Sequence, residues 1–179
     1  MRVALIGAHG SGKSTIGSIL RSNDWTHWSL GDLRRRLRNP KDCAMLPPAV
    51  VRVLHHMRPG QPLEPPALRM LLDHCPDPIA LDGAPDSAAH VPLFGPDWAF
   101  ISVKIDESIR QQRLHARSLS SDRLWIDGLR SERDARLEET QLALLGRRFY
   151  ILANNGSQDD LRINLDHVLL QISHDLRSN

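Results

Sequence analysis

Residues 3–15 of the chain read Val3-Ala4-Leu5-Ile6-Gly7-Ala8-His9-Gly10-Ser11-Gly12-Lys13-Ser14-Thr15. The four apolar residues predict a buried strand, and the stretch from Gly7 onward matches the pattern G-x-x-x-x-G-K-[ST]. Glycines at these positions let the backbone wrap an anion, so that successive N–H groups point inward and the next helix adds its positive N-terminal dipole. The stretch therefore predicts a strand, a phosphate-binding loop and a helix in direct succession.

The loop predicts a nucleotide site and, with a second strand, a metal site. We expect ATP to be bound by Gly7, His9, Gly10, Ser11, Gly12, Lys13, Ser14 and Thr15. Lys13 is placed to reach the β- and γ-phosphates, and the Ser14 hydroxyl to ligate Mg²⁺. The apolar run Ile79-Ala80-Leu81 ends in Asp82, which we expect to hold a metal-bound water across from Ser14.

Five strand-like runs alternate with longer stretches of helical period. The runs cover residues 2–6, 25–30, 78–81, 98–105 and 149–153. Short apolar runs bounded by Gly, Pro, Asp or Asn are typical of strands buried on both faces, and their alternation with helices predicts a parallel sheet. We therefore expect one α/β domain over residues 1–179. Its predicted fold is the three-layer P-loop NTPase fold, a five-stranded parallel sheet flanked by helices.

Local signals mark where several helices begin. Pro47-Pro48 and Pro65-Pro66 each precede an apolar-periodic run, and proline is tolerated in the first turn of a helix. Ser157 and Asp160 have the spacing of a capping box in front of a last amphipathic stretch. The chain therefore predicts helices that start near these three points.

Composition limits the classes of partner. The 23 Lys and Arg nearly balance the 21 Asp and Glu, for a net charge of +2, and no aromatic residues interleave with the arginines, so a nucleic-acid partner is not favoured. No apolar run has the length of a membrane-spanning helix, and Cys43 and Cys75 lack metal-site spacing. We expect a cytoplasmic monomer or homodimer. Scattered histidines are interpreted as solvated or core residues, namely His55, His56, His74, His90 and His115.

Four further segments follow the loop in a fixed order. They are Ser29-Leu30-Gly31-Asp32-Leu33-Arg34-Arg35, Gly60-Gln61-Pro62-Leu63-Glu64-Pro65, Leu81-Asp82-Gly83-Ala84-Pro85 and Ile109-Arg110-Gln111-Gln112-Arg113-Leu114-His115-Ala116-Arg117. Together with the loop they resemble the landmarks of the adenylate kinase family of nucleoside monophosphate kinases. The resemblance implies transfer of the γ-phosphoryl group of ATP to a nucleoside or deoxynucleoside monophosphate. It also implies an acceptor-binding flap at about residues 31–77 and a short lid at about residues 117–125.

The same resemblance assigns roles to arginines. Arg35 matches the arginine that holds the acceptor's phosphate, and Arg113 and Arg117 match two arginines of the helix that leads into the lid. Candidates for the lid-closing arginine are Arg123, Arg130, Arg133 and Arg136, of which Arg136 fits an Arg-Leu pair and Arg123 the far edge of the lid. Phosphoryl transfer needs positioning and charge stabilisation. The expected catalytic set is therefore Lys13, Arg113, Arg117, Arg123 and Arg136.

The largest departure from the family's pattern lies after the segment Leu81-Asp82-Gly83-Ala84-Pro85. The family carries an arginine directly after the proline of Asp-Gly-x-Pro, and this chain has Asp86 there. A carboxylate repels an acceptor phosphate a few ångströms away by on the order of several kcal/mol. In a monophosphate kinase, Arg35 would then need help from another arginine such as Arg52 or Arg69.

Three hypotheses therefore remain at the level of the sequence. The first is the monophosphate kinase. The second is a kinase of a small hydroxylated metabolite, with Asp32 or Asp86 as general base. The third is a nucleotide-binding switch protein without turnover. Asp32, Arg35 and Asp86 are the expected acceptor-binding residues under the first two.

Overall fold

The computed structural model of the chain contains a five-stranded sheet. Its strands are β1 (Arg2–Ile6), β2 (Thr26–Ser29), β3 (Ile79–Asp82), β4 (Trp98–Lys104) and β5 (Phe149–Ala153). All neighbouring strands are parallel, in the order β2-β3-β1-β4-β5. The predicted five-stranded parallel sheet is confirmed, with each strand within two residues of the expected run at either end.

The structure describes the backbone of residues 1–37, 44, 46–58, 60–120 and 127–178. Side chains are described for the same residues except 117–120, 127–131, 133 and 134. The predicted lid residue Arg123 lies outside the described residues, as do the side chains of Arg117, Arg130 and Arg133.

Helices connect the strands. They are α1 (Lys13–Arg21), α2 (Leu30–Arg36), α3 (Pro48–His56), α4 (Pro65–Asp73), α5 (Glu107–Ser120), α6 (Asp127–Ala143) and α7 (Gln158–Arg177), with a 3₁₀ helix at Ala88–Leu93. As predicted, α3 and α4 begin at prolines, and α7 begins with a capping box in which Ser157 and Asp160 exchange side-chain and backbone hydrogen bonds. No described helix combines the length and apolar character needed to cross a membrane.

Helices cover both faces of the sheet, because side chains alternate along each strand. Ala4 and Ile6 of β1 pack on one face with apolar residues of α3 and α4, and Leu144 lies in the same cluster. Val3 and Leu5 pack on the other face with α1 and α7. Burial on both faces explains why the strands read as continuous apolar runs, and it confirms the three-layer fold.

The strand order brings the predicted site residues to one edge of the sheet, at the carboxyl ends of the strands. Strand β1 lies between β3 and β4, and it carries the loop at its carboxyl end. Asp82 is in register with Leu5 on one side and with Ser29 on the other. Ligands of open α/β sheets bind outside the carboxyl ends of the strands. The fold therefore places the loop, Asp82 and Ser29 around a common space.

Candidate functional site

The phosphate-binding loop, residues 7–15, needs its glycines for geometric reasons. Gly10 and Gly12 have φ angles of +82° and +100°, a region that residues with a Cβ rarely adopt. A Cβ at Gly12 would lie 2.1 Å from Asn154 Nδ2, and one at Gly10 would lie 2.8 Å from a methyl carbon of Leu114. Backbone conformation and packing therefore both require glycine at these two positions.

Asn154 braces the loop from the end of β5, and the sequence reasoning missed it. Its Nδ2 donates a 2.7 Å hydrogen bond to the carbonyl oxygen of Ser11, and both residues are buried. The backbone N–H of Asn154 donates to the carbonyl oxygen of Lys104. A signal was available, because Asn154 directly follows a strand of a parallel sheet and so lies at the same edge as the loop.

Lys13 folds over the loop that carries it. Its Nζ donates hydrogen bonds to the carbonyl oxygens of Gly7 at 2.6 Å and Ala8 at 2.9 Å. Phosphate oxygens are ionised acceptors, and charge-assisted hydrogen bonds are about twice as strong as neutral ones. The ammonium group therefore lies where an arriving phosphate can draw it away from the two carbonyls.

A cleft of about 330 Å³ lies over the loop, within the size range of small-molecule sites. Its β5 side is formed by Arg113, Asn154, Gly156, Ser157 and Gln158, and its β2 side by Ser29, Gly31 and Arg35. The predicted nucleotide-binding residues His9, Gly10, Gly12, Lys13, Ser14 and Thr15 line the cleft between them. Ser11 is buried beneath the loop, and Gly7 lines a smaller adjoining cavity.

Ser14 and Asp82, the predicted metal residues, line the same cleft. Asp82 is 8% exposed, and Ser29 Oγ donates a long hydrogen bond of 3.4 Å to its Oδ2. Mg²⁺ prefers oxygen ligands and is usually held by one or two carboxylates together with water and substrate phosphates. The described residues contain no group of three or more His, Cys, Asp or Glu side chains that could hold a metal. The donor set fits Mg²⁺ shared with phosphates better than a metal caged by protein alone.

The predicted arginines are distributed between two places. Arg113 lines the β5 side of the cleft, and its Nη2 donates to the carbonyl oxygen of Gly156 at 3.4 Å. Arg136 instead donates from Nη2 to the carbonyl oxygen of Gly60 at 2.6 Å. This bond ties α6 to the segment between α3 and α4, which belongs to the predicted acceptor flap. Arg136 is absent from the described residues that line the cleft.

On the β2 side, Arg35 reaches the cleft and Asp32 does not line it among the described residues. Asp32 forms ion pairs within α2, at 3.3 Å with Arg35 and 2.9 Å with Arg36. Arg69 pairs with Asp73 and donates to a backbone carbonyl. Neither Arg52 nor Arg69 belongs to the described lining of the cleft. Arg35 is therefore the candidate acceptor arginine that the structure brings to this space.

Asp86 lies beside the loop and contacts a histidine. Together with Gly7, Lys13 and Leu137 it lines a cavity of about 20 Å³. Its side chain is 16% exposed, and its Oδ1 lies 3.0 Å from Nδ1 of His90, which is 1% exposed. His90 is thus one of the histidines that the sequence interpreted as solvated or core residues, and it lies in the core.

His27 is a second buried histidine, which packs behind the loop helix. A Cβ at Gly17 of α1 would lie 2.2 Å from its ring, so the ring occupies the space that a side chain on α1 would need. Burial lowers the pKa of His27 below its usual 6.5, although the charge of Asp82 acts in the opposite direction. Its Nε2 is buried and has no hydrogen-bond partner among the described residues.

Comparisons with known proteins support the fold. No protein-family model matches the chain, and no curated protein matches its sequence. A gluconokinase from Sinorhizobium meliloti 1021 has a similar structure, with a TM-score of 0.61 and 16% identity over 98% of this chain and 95% of that one. Shikimate kinase from Aquifex aeolicus vf5 gives a TM-score of 0.56 and 17% identity over 100% of both chains. TT1252 from Thermus thermophilus gives 0.52 and 21% identity over 96% and 97%.

These structures bear on the fold and not on the family. Their identities to this chain, from 16% to 21%, support the P-loop kinase fold over nearly its whole length. The resemblance to the adenylate kinase family is not confirmed by them.

Proposed function

We propose that the protein is a phosphotransferase that passes the γ-phosphoryl group of ATP to a hydroxyl group of a small metabolite. The observation that carries the proposal is the carboxylate of Asp86, which shares a cavity with Lys13 and Gly7 of the loop. Two proteins of similar fold, titled gluconokinase and shikimate kinase, are in line with it. The monophosphate kinase implied by the family resemblance is the competing hypothesis.

The donor half of the reaction rests on the loop. The backbone of residues 7–15 would cradle the phosphates of ATP at the N-terminus of α1, and Lys13 would move from two carbonyl oxygens to the phosphates. Arg113 lies on the β5 side, where it would add positive charge next to the nucleotide. Mg²⁺ bound through Ser14 and Asp82 would neutralise charge on the phosphate oxygens.

The acceptor half needs a group that takes a proton. The hydroxyl oxygen of the metabolite would attack the γ-phosphorus, the bond from that phosphorus to the bridging oxygen would break, and ADP would leave with the bridging oxygen. The hydroxyl proton would pass to a carboxylate, for which Asp86 and Asp32 are the two candidates. Asp86 is favoured because it lies beside Lys13, whereas both ion pairs of Asp32 lie within α2.

Charge separates this proposal from the monophosphate kinase hypothesis. An acceptor phosphate would bring up to two negative charges towards the carboxylate of Asp86, and like charges a few ångströms apart repel each other. Arg35 is 53% exposed and already paired with Asp32, which weakens it as the sole partner of a dianion. A neutral polyol, or a hydroxy acid whose carboxylate binds Arg35, meets less repulsion.

The direct experiment measures ADP release from ATP and Mg²⁺ in the presence of candidate acceptors. One panel contains sugars, polyols and hydroxy acids, and the other contains the common nucleoside and deoxynucleoside monophosphates. We expect stimulation by a member of the first panel only. Stimulation by a monophosphate would restore the competing hypothesis, and ATP binding without stimulation by either panel would favour the switch protein.

Two matched variants then test the acceptor half. We expect Asp86→Asn to abolish acceptor-dependent turnover while ATP affinity, measured by calorimetry, stays unchanged. Asp32→Asn should retain most of the turnover, because its described ion pairs lie within α2. The reverse pattern would make Asp32 the base. Asp86→Arg, which introduces the residue of the resembled family, should not create monophosphate kinase activity if the proposal is right.

A further inference from the structure

His90 links the segment that precedes α4 to Asp86 through the two nitrogens of its ring. It lies in the 3₁₀ helix and is 1% exposed. Its Nε2 is 2.7 Å from the carbonyl oxygen of Leu63, which precedes α4. Its Nδ1 is 3.0 Å from Oδ1 of Asp86 and 3.4 Å from the backbone nitrogen of the same residue.

These contacts restrict where the ring carries hydrogen. A carbonyl oxygen only accepts hydrogen bonds, so Nε2 must carry a hydrogen and donate it to Leu63. Nδ1 then has two options. Without a hydrogen it accepts from the N–H of Asp86, and with a hydrogen it donates to the carboxylate of Asp86.

The buried oxygen of Asp86 favours the second option. Oδ1 is buried, and the described residues offer it no other hydrogen-bond donor. A buried carboxylate oxygen without a hydrogen-bond donor is destabilising, because it has lost its water without gaining a partner. A hydrogen on Nδ1 satisfies that oxygen at 3.0 Å, which is a shorter contact than the one to the backbone nitrogen.

We infer that His90 is a positioning residue for Asp86, whose carboxylate it holds beside Lys13 through a hydrogen bond from Nδ1 while Nε2 anchors the ring to Leu63. The inference rests on the proposed function in that Asp86 is there the proton acceptor. It adds a residue that lies outside the described lining of the cleft and of the adjoining cavity. The hydrogen bond fixes Oδ1, and Oδ2 is left to meet the hydroxyl group of the acceptor.

Two substitutions of His90 test the contacts of the two ring nitrogens one at a time. The side-chain amide of His90→Asn lies close to the place of Nδ1, so it can donate to Asp86 but cannot reach Leu63. The longer side chain of His90→Gln places its amide near Nε2, so it can reach Leu63 but leaves Oδ1 without a donor. Loss of packing is similar in both variants, which makes each the control of the other.

We expect His90→Gln to lower kcat on the order of 100-fold, as for a misplaced catalytic group, with the KM for ATP unchanged. His90→Asn should keep kcat within a few-fold of wild type even though its melting temperature falls. His74→Gln serves as an outside control, because His74 is exposed and its ring contacts the backbone carbonyl oxygen of Met70. Equal kcat losses in both His90 variants, or a retained kcat in His90→Gln, would overturn the inference.

A second measurement does not depend on turnover. Nitrogen-15 NMR of the histidine rings should show hydrogen on both nitrogens of His90 in the wild type and on Nε2 alone in Asp86→Asn. A wild-type ring without hydrogen on Nδ1 would overturn the inference even if an acceptor has been found. If no acceptor is found, the proposed function fails, and the NMR result alone decides whether His90 holds Asp86.

Discussion

The phosphate-binding loop and the Asp86–His90 pair lie side by side, but they are built by different kinds of contact. The loop is made of consecutive residues whose shape depends on its glycines and backbone groups, with Asn154 as a brace from outside. The pair depends on side chains, and its ring is anchored to Leu63, 27 residues away in sequence. A motif can therefore specify the predicted nucleotide site, whereas the proposed acceptor site can change through single side chains while the fold persists.

The largest expected effect tests the loop half of this comparison. Lys13→Ala should lower kcat by about 10²–10³-fold, the usual loss when one preorganised donor to developing charge is removed. The described bonds of Lys13 run to carbonyl oxygens of its own loop, so the melting temperature should change little. Lys104→Ala is the control, since this exposed lysine bonds Gln141. Retained turnover in Lys13→Ala with a large fall in melting temperature would make the loop a structural turn.

The second-largest expected effect tests whether ATP binding depends on the backbone conformation of the loop. Gly12→Ala should weaken ATP binding at least about tenfold, because it combines a φ of +100° with a Cβ 2.1 Å from Asn154 Nδ2. Gly146→Ala is a matched control: Gly146 has a φ of +83°, and a Cβ there would meet no described residue beyond its chain neighbours within 4 Å. It should lower the melting temperature without changing ATP affinity in a calorimetric titration. Equal ATP affinities in the two variants would contradict the steric argument.

The same difference, between contacts of neighbouring residues and contacts of residues far apart in sequence, determines how much the sequence could predict. The strands, the loop and the proline helix starts depend on neighbouring residues, and the structure has them where the sequence predicts them. Asp82 was found because it ends an apolar run. The brace between Asn154 and Ser11 spans 143 residues, and the bond between Arg136 and Gly60 spans 76. A local pattern has no information about such partners, which is why these contacts, and the contact of His90 with Leu63, were not predicted.

A smaller expected effect tests whether Arg136 supports the acceptor side, through its bond to Gly60, or belongs to the predicted lid. Its bond to the Gly60 carbonyl oxygen is charged and part-buried, and such bonds contribute about 1.5–3 kcal/mol. Arg136→Ala should therefore raise the KM for the acceptor by about tenfold and leave ATP affinity unchanged. Arg136→Lys, which retains a charged donor, should recover part of the loss. A fall in kcat with the acceptor KM unchanged would instead assign Arg136 to the lid, as the family resemblance implies.

The smallest expected effect concerns His27, which supports the loop helix through its contact with Gly17. Burial lowers the pKa of His27 in the folded protein below 6.5, so between the two pKa values the unfolded chain binds more protons than the folded one. Stability then rises with pH, is fully present above about pH 6.5, and declines as the pH falls below it. Melting temperatures at pH 7.5 and pH 5.5 should therefore differ more for the wild type than for His27→Gln.

A variant of Asp82 provides the sharper test, because this carboxylate lines the cleft over the loop and its charge acts on the pKa of His27. The charge of Asp82 raises the pKa of His27 and offsets part of the effect of burial. Removing that charge in Asp82→Asn should lower the pKa of His27 further and enlarge the loss of stability at pH 5.5. The double variant Asp82→Asn/His27→Gln should lose that extra dependence. If Asp82→Asn left the pH dependence unchanged, His27 would be only a packing residue behind α1, without an electrostatic link to the carboxylate of Asp82.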